Sequence, residues 1–171
     1  VCNFAISRCG EDNSQLSNKM KRIKGQVLFL RGLSYYNLVG YYQNPPLITD
    51  YATYSSLDGL YTSNSTYDAV LDQVEKDFHE AMELLPSRDE GGEWAGGRAT
   101  CGAAAGYYAR ALMMRQKYSD ALTVLKDIIG KKYGTYRLML NYGDNFREGS
   151  AYENNAESLF EVQYLDYGSQ G

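Results

Sequence analysis

Along residues 21–42 the apolar positions return every three or four residues. Ile23, Val27, Leu30, Leu38 and Tyr41 form one stripe, and Phe29, Leu33 and Tyr36 form a second. That spacing puts each set on one face of an α-helix, and two stripes predict a helix covered on two sides. Gln43-Asn44-Pro45-Pro46 ends it, because proline disfavours helix at its own position and at the one before. A polar, tyrosine-rich connection follows, as far as Ser65 or Thr66, either of which can cap the next helix with a side-chain oxygen. That helix, 67–85, is the clearest in the chain. Leu71, Val74, Phe78, Ala81 and Leu85 step by three and four, while Asp72, Glu75, Lys76, Asp77, Glu80 and Glu83 fall mostly opposite. Pro86 closes it, and SRDEGGEWAGG (87–97) is a Gly-rich loop holding the only Trp.

Residues 98–114 read RATCGAAAGYYARALMM, and six of the first nine are Ala or Gly. A linker would scatter its small residues. Here Ala103, Gly106, Ala109 and Met113 step by three, three and four, which predicts a helix whose small stripe admits a neighbouring helix closely. After Gln116-Lys117 the stretch YSDALTVLKDIIGK places Ala121, Leu122, Leu125, Ile128 and Ile129 on one face of a further helix. Helices joined this tightly form a hairpin, and pairing 21–42 with 67–85 gives another. SYYNLVGYY echoes GYYARALMM, and YDAVLDQV echoes YSDALTVL. The predicted fold is therefore mostly α: tetratricopeptide-like antiparallel helix pairs at about 21–85 and 99–130, with long loop insertions, in a single region 1–171. Residues 131–157 read as irregular. SLFEVQY then alternates, with Phe160, Val162 and Tyr164 on one face, and predicts a short C-terminal strand.

Composition changes the picture at one point. The chain has 171 residues, 44% hydrophobic and 22% charged, but 17 of them are Tyr against one Trp and 5 Phe. Tyrosine joins a flat apolar face to a hydroxyl and suits both helix packing and wet or sugar-binding surfaces. The net charge of −4 and the lack of a basic run leave no electrostatic footprint for nucleic acid. No apolar run is long enough to span a bilayer. The first residues, VCNFAISRC, read as the inside of a helix, so the chain is expected to be an excerpt of a longer protein. In such a helix Cys2 and Cys9 are about 10 Å apart along the axis, beyond the roughly 4.4–6.8 Å a disulfide spans. No CxxC occurs, and no metal or cofactor is expected.

The string KGQVLFLRGLSYYNLVGYYQNPPLIT resembles a segment of the SusD/RagB family of outer-membrane nutrient-binding lipoproteins. The succession continues through YDAVLDQVEKDFHEAMELLP, GRATCGAAAGYYARALMMRQKYSDALTVLKDII and ESLFEVQY, which are similar, in order, to further segments of that family. The likeness covers roughly residues 20 to 165. Asn44-Pro45 departs from the family's Gly-containing approach to the proline, and Cys101 stands where the family often has Lys. The resemblance implies a lipid-anchored protein on the outer-membrane surface, capturing a glycan or sometimes a peptide. It also implies a SusC-like TonB-dependent transporter as partner, with helical repeats as scaffold and ligand sites in the loops.

Catalysis finds little support in the residues. His79 is the only histidine and sits beside Phe78 on a helix flank, so no Ser-His-Asp set is evident. GEWAGG lacks the patterns of phosphate-binding loops. Asp89-Glu90 supplies two carboxylates, but glycoside hydrolysis needs a pair converging across a cleft. Binding is expected instead, on loop aromatics held by the scaffold. The candidates are Tyr51, Tyr54 and Tyr61 in the insertion, Trp94 in the Gly-rich loop and Tyr167 after the strand, with Arg31 and Arg98 as structural bridges. The alternative to a glycan receptor is a plain tetratricopeptide-type scaffold that holds a peptide or protein partner.

Overall fold

A computed structural model describes residues 1–10, 12–55, 57–94, 96–149 and 151–163. Its helices are α1 (Cys2–Cys9), α2 (Asn18–Tyr42), α3 (Tyr67–Leu84), α4 (Cys101–Met114) and α5 (Tyr118–Ile129). Three of them begin on a hydroxyl that takes a free backbone N–H. Ser17 accepts from Met20 at 3.3 Å, Thr66 from Ala69 at 3.2 Å and Thr100 from Ala103 at 3.3 Å. Ser65, the other candidate cap for α3, instead accepts from Leu47 N–H at 3.1 Å and helps to close the insertion. At its far end α2 stops on Gln43, whose φ of 59° leaves the helical region while its N–H still reaches Val39 O.

Each helix from α2 to α5 packs on the next in chain order, and α1 lies on α2. The turn at 115–117 reverses the chain between α4 and α5, and Arg115 and Lys117 clamp it to α3 through Glu75, at 3.3 and 2.7 Å. The expected tetratricopeptide-like stack is present. Its core holds an aromatic knot: Phe78 stacks on Tyr107 at 5.5 Å, and Phe29 meets Phe78, Tyr107 and Phe160 at 5.8, 5.6 and 4.9 Å. Tyr36 joins at 5.8 Å from Tyr107, so these tyrosines serve packing.

Three expectations about the helices need correction. The stripe Ile23, Leu30, Leu38 and Tyr41 on α2 is exposed, and the buried face carries Gly25, Leu28, Phe29, Gly32 and Val39. Close approach decides this. A Cβ on Gly25 would lie 2.9 Å from Leu85 Cγ, and one on Gly32 3.1 Å from Phe78 Cε1. On α5, Ala121 and Val124 are buried and Ile128 is half-buried, whereas Leu122, Leu125 and Ile129 are exposed. The small residues of α4 divide between two neighbours. Ala103, Ala104, Ala105, Ala109 and Ala111 are fully buried in the helix stack, but Gly102 and Gly106 face the segment after α5. A Cβ there would sit 2.7 Å from Tyr136 Cε2 and 2.8 Å from Leu159 Cδ1 respectively.

The C-terminal strand is absent among the described residues, and Tyr164 lies outside them. Alternation alone does not make a strand, which needs a ladder partner. Phe160 packs on Phe29 while Val162, expected on the same face, is exposed. The segment is held by side chains instead. Arg88 donates to the carbonyls of Asn154, Asn155 and Ser158 at 3.0–3.1 Å, and Asp89 accepts from Thr135 N–H at 2.9 Å. No helix among the described residues is long and apolar enough to cross a membrane.

Candidate functional site

The insertion between α2 and α3 is folded back on the helices by a few bonds. Tyr35 Oη accepts from Ile48 N–H at 2.8 Å and donates to Ile48 O at 2.9 Å. Asn3 of α1 donates to the same carbonyl at 2.8 Å, and Pro45 O accepts from Ser65 N–H at 3.2 Å. Asp50 then caps the next turn by accepting from Ala52 N–H at 3.0 Å. Tyr51 is thereby set beside Phe4 of α1, ring centroids 5.0 Å apart and planes tilted by 59°.

Between α1, α2, this insertion and α3 a groove of about 890 Å³ opens. That volume lies in the range that small-molecule sites occupy. Its floor is ionic and internally compensated. Lys24, 3% exposed, meets Glu80 at 3.0 Å and donates to Gly10 O and Asn13 Oδ1, both at 2.9 Å. Arg31 grips Asp77 in bidentate fashion, at 2.8 and 2.6 Å, and reaches Asn3 Oδ1 at 3.1 Å. Gln73 donates to the same Asp77 at 2.7 Å. Burial pushes the Asp77 carboxyl above its ordinary value against the pull of Arg31. Glu80 goes the other way. Burial alone would raise it, but bonds from Asn13 and Lys24 hold it below the usual glutamate value.

Above this floor several groups keep hydrogen-bonding capacity among the described residues: the Thr49 hydroxyl, one oxygen of Asp50, the Gln73 carbonyl and the Lys76 ammonium. Tyr51, about half exposed, contributes a ring to the wall. The groove thus offers one aromatic surface and a set of donors and acceptors on a rigid base.

Of the expected site residues, the structure brings Tyr51 to this groove. Tyr61 is 85% exposed at the end of the turn Asp58–Tyr61, away from the groove lining. Tyr54 sits in the turn Ala52–Ser55, and Tyr167 lies outside the described residues. Trp94 is only 7% exposed and belongs to the hydrophobic core. The guanidinium groups of Arg22 and Arg98 lie over its ring, 5.5 and 5.6 Å from the centroid. The cavity beside it measures about 20 Å³, room for a water and no more.

The sequence reading missed Phe4, Thr49, Gln73 and Lys76. Gln73 and Lys76 lie on the polar flank of α3, which in one dimension looks like a solvated face. The two structural arginines fall as expected, Arg31 on Asp77 and Arg98 on Glu93 at 2.8 Å.

Groups of the types used in catalysis are engaged in other contacts. Asp89 is bonded to Thr135, and Glu90 pairs with Arg22 at 2.7 Å. His79 packs edge-on against Tyr108 at 5.4 Å. Cys101 is buried, its Sγ donating to Tyr133 O at 3.3 Å, and burial pushes the thiol up to about 11, so it stays protonated.

Comparison with known proteins places this geometry in context. Residues 2–113 match the model of the SusD-like family described as "starch-binding associating with outer membrane". Among curated proteins none matches. A SusD-like carbohydrate-binding protein of Bacteroides fragilis superposes with a TM-score of 0.80 at 23% identity, covering 96% of this chain and 31% of its own. A laminarin-binding SusD-like protein gives 0.69 at 26% identity, covering 85% and 31%. Surface glycan-binding protein A of Bacteroides thetaiotaomicron, solved with laminarihexaose, gives 0.74 at 24% identity, covering 98% and 35%. The chain therefore spans about a third of the length of these structures.

Proposed function

The chain belongs to the SusD-like family, whose members bind carbohydrate, and we propose that it is the glycan-capturing part of a cell-surface receptor. In this reading it holds an oligo- or polysaccharide and hands it to a SusC-like TonB-dependent transporter in the outer membrane, itself tethered by a lipid anchor. It binds and does not cleave.

The observation that carries the reading is the groove beside Tyr51. A pyranose ring has an apolar C–H face and a rim of hydroxyls. It is matched by an aromatic wall next to uncommitted donors and acceptors. The solved relatives support the ligand class: one is named as laminarin-binding and another was solved with laminarihexaose. Calorimetric titration with laminarihexaose, maltohexaose and a set of short peptides tests it. Binding of a glycan with no release of reducing ends is the expected result. Binding of peptides alone, or hydrolysis of the glycan, overturns the proposal.

A further inference from the structure

Charge and shape in the groove go further than ligand class. Its lining carries three basic side chains, Lys24, Arg31 and Lys76, against three carboxylates, Asp50, Glu80 and Glu83. Lys24 and Arg31 are already committed to Glu80 and Asp77. That leaves Lys76 as the one basic group of the lining without a committed hydrogen-bond partner among the described residues, and it shares the lining with Asp50 and Glu83 and acts electrostatically on Glu80. An anionic chain entering here meets no net positive field, and it would have to break a buried ion pair to find one. Such a break is costly, because the charge left behind stays desolvated.

A peptide fits no better. The apolar part of the lining is confined to Ile6, Leu28 and Tyr51, so side-chain pockets are lacking. No unpaired strand edge occurs among the described residues to offer backbone bonds.

Resting on the glycan-binding reading above, we infer that this groove takes a neutral saccharide. One sugar face packs on the Tyr51 ring, and hydroxyl groups are held by Thr49, Asp50, Gln73 and Lys76. Tyr51 supplies the anchoring surface. Its position is fixed by the Asp50 cap and the Phe4 contact, both made within the chain itself. Little ordering is needed on binding, which favours affinity.

The test is calorimetry of the protein at low and high NaCl. The probes are neutral hexasaccharides (laminarihexaose, maltohexaose, xylohexaose) and the polyanionic oligogalacturonate. Variants Tyr51→Ala and Lys76→Gln are compared with Tyr118→Ala, a change on the exposed face of α5. The expected pattern is binding of a neutral hexasaccharide that is flat with salt. Tyr51→Ala weakens it by about tenfold or more, as loss of an aromatic anchor does. Lys76→Gln costs roughly three- to tenfold, the worth of a hydrogen bond. Tyr118→Ala stays near wild type. Glycan binding that survives Tyr51→Ala places the site elsewhere and overturns this inference, while the glycan-binding reading stands. Tighter binding of oligogalacturonate that fades with salt overturns the neutral class. Failure of every glycan to bind removes both readings together.

Discussion

Trp94→Ala separates two roles that the sequence leaves open, because a ligand platform and a core residue respond differently to truncation. The side chain is 7% exposed and sits in the same apolar cluster as Leu28, Phe29 and Phe78. Burying an indole and then deleting it to Ala costs about 3–5 kcal/mol where the surroundings cannot close the hole. Two guanidinium groups over the ring add roughly 0.5–1 kcal/mol each at exposed sites. For a domain of this size each kcal/mol moves the melting temperature by about 2–4 °C, so a fall of roughly 10 °C is expected. Differential scanning calorimetry reads it directly. Titration of the same variant with a bound hexasaccharide, below its transition, should show affinity within about twofold of wild type. A variant that melts within about 2 °C of the parent yet loses its glycan would refute the reasoning and make Trp94 a platform.

The other predictions concern the ionic floor of the groove. Asp77→Ala strands Arg31, which is 8% exposed, and should cost about 3–5 kcal/mol by denaturant unfolding, whereas Arg31→Met combined with Asp77→Leu should recover most of it; equal losses in the single and double variants would contradict this. Glu80 has a folded-state value below its ordinary 4.5, so its contribution is present above that value and is lost as pH falls through the lowered one. The acid unfolding midpoint should therefore move to higher pH in Glu80→Gln, which lacks that stabilisation above the lowered value, and an unchanged midpoint would show that the Lys24 contact carries no linkage.

What the sequence made legible follows from how local each signal is. The helix start at Thr66 needs only a hydroxyl three residues before a free N–H, and α3 announces its buried face through Leu71, Val74 and Phe78. On α2 the same logic misled. Periodicity finds a face but does not say which one a neighbour covers, and Gly25 and Gly32 outweighed Leu30 and Leu38 by admitting Leu85 and Phe78. The groove was legible only at Tyr51. Its other groups come from α1, the insertion and α3, joined by bonds such as Asn3 to Ile48 and Asn13 to Glu80 that span 45 and 67 residues. A pattern one helix long has no access to such separations. SLFEVQY misled for a related reason, since among the described residues it is held by contacts such as the Arg88 side chain and the Phe29 ring and by no paired strand.

The two glycines of α4 that face away from the stack carry a consequence for how this molecule tolerates change. Gly102 and Gly106 are sockets, and Tyr136 and Leu159 are the pegs that fill them. The pegs stand at the two ends of the stretch between 136 and 159, and the Arg88 bonds to the carbonyls of Asn154, Asn155 and Ser158 reinforce the second end. Between these ends Met139 N–H and Asn145 bond to Glu157 of the same stretch, so substitutions there act first on the stretch itself and not on the helices. The stack behaves as a chassis and the pinned stretch as a fitting. A methyl on Gly102 would have to displace the Tyr136 ring, whereas one on Gly106 meets only the end of the flexible Leu159 side chain, so the two sockets differ in what they tolerate.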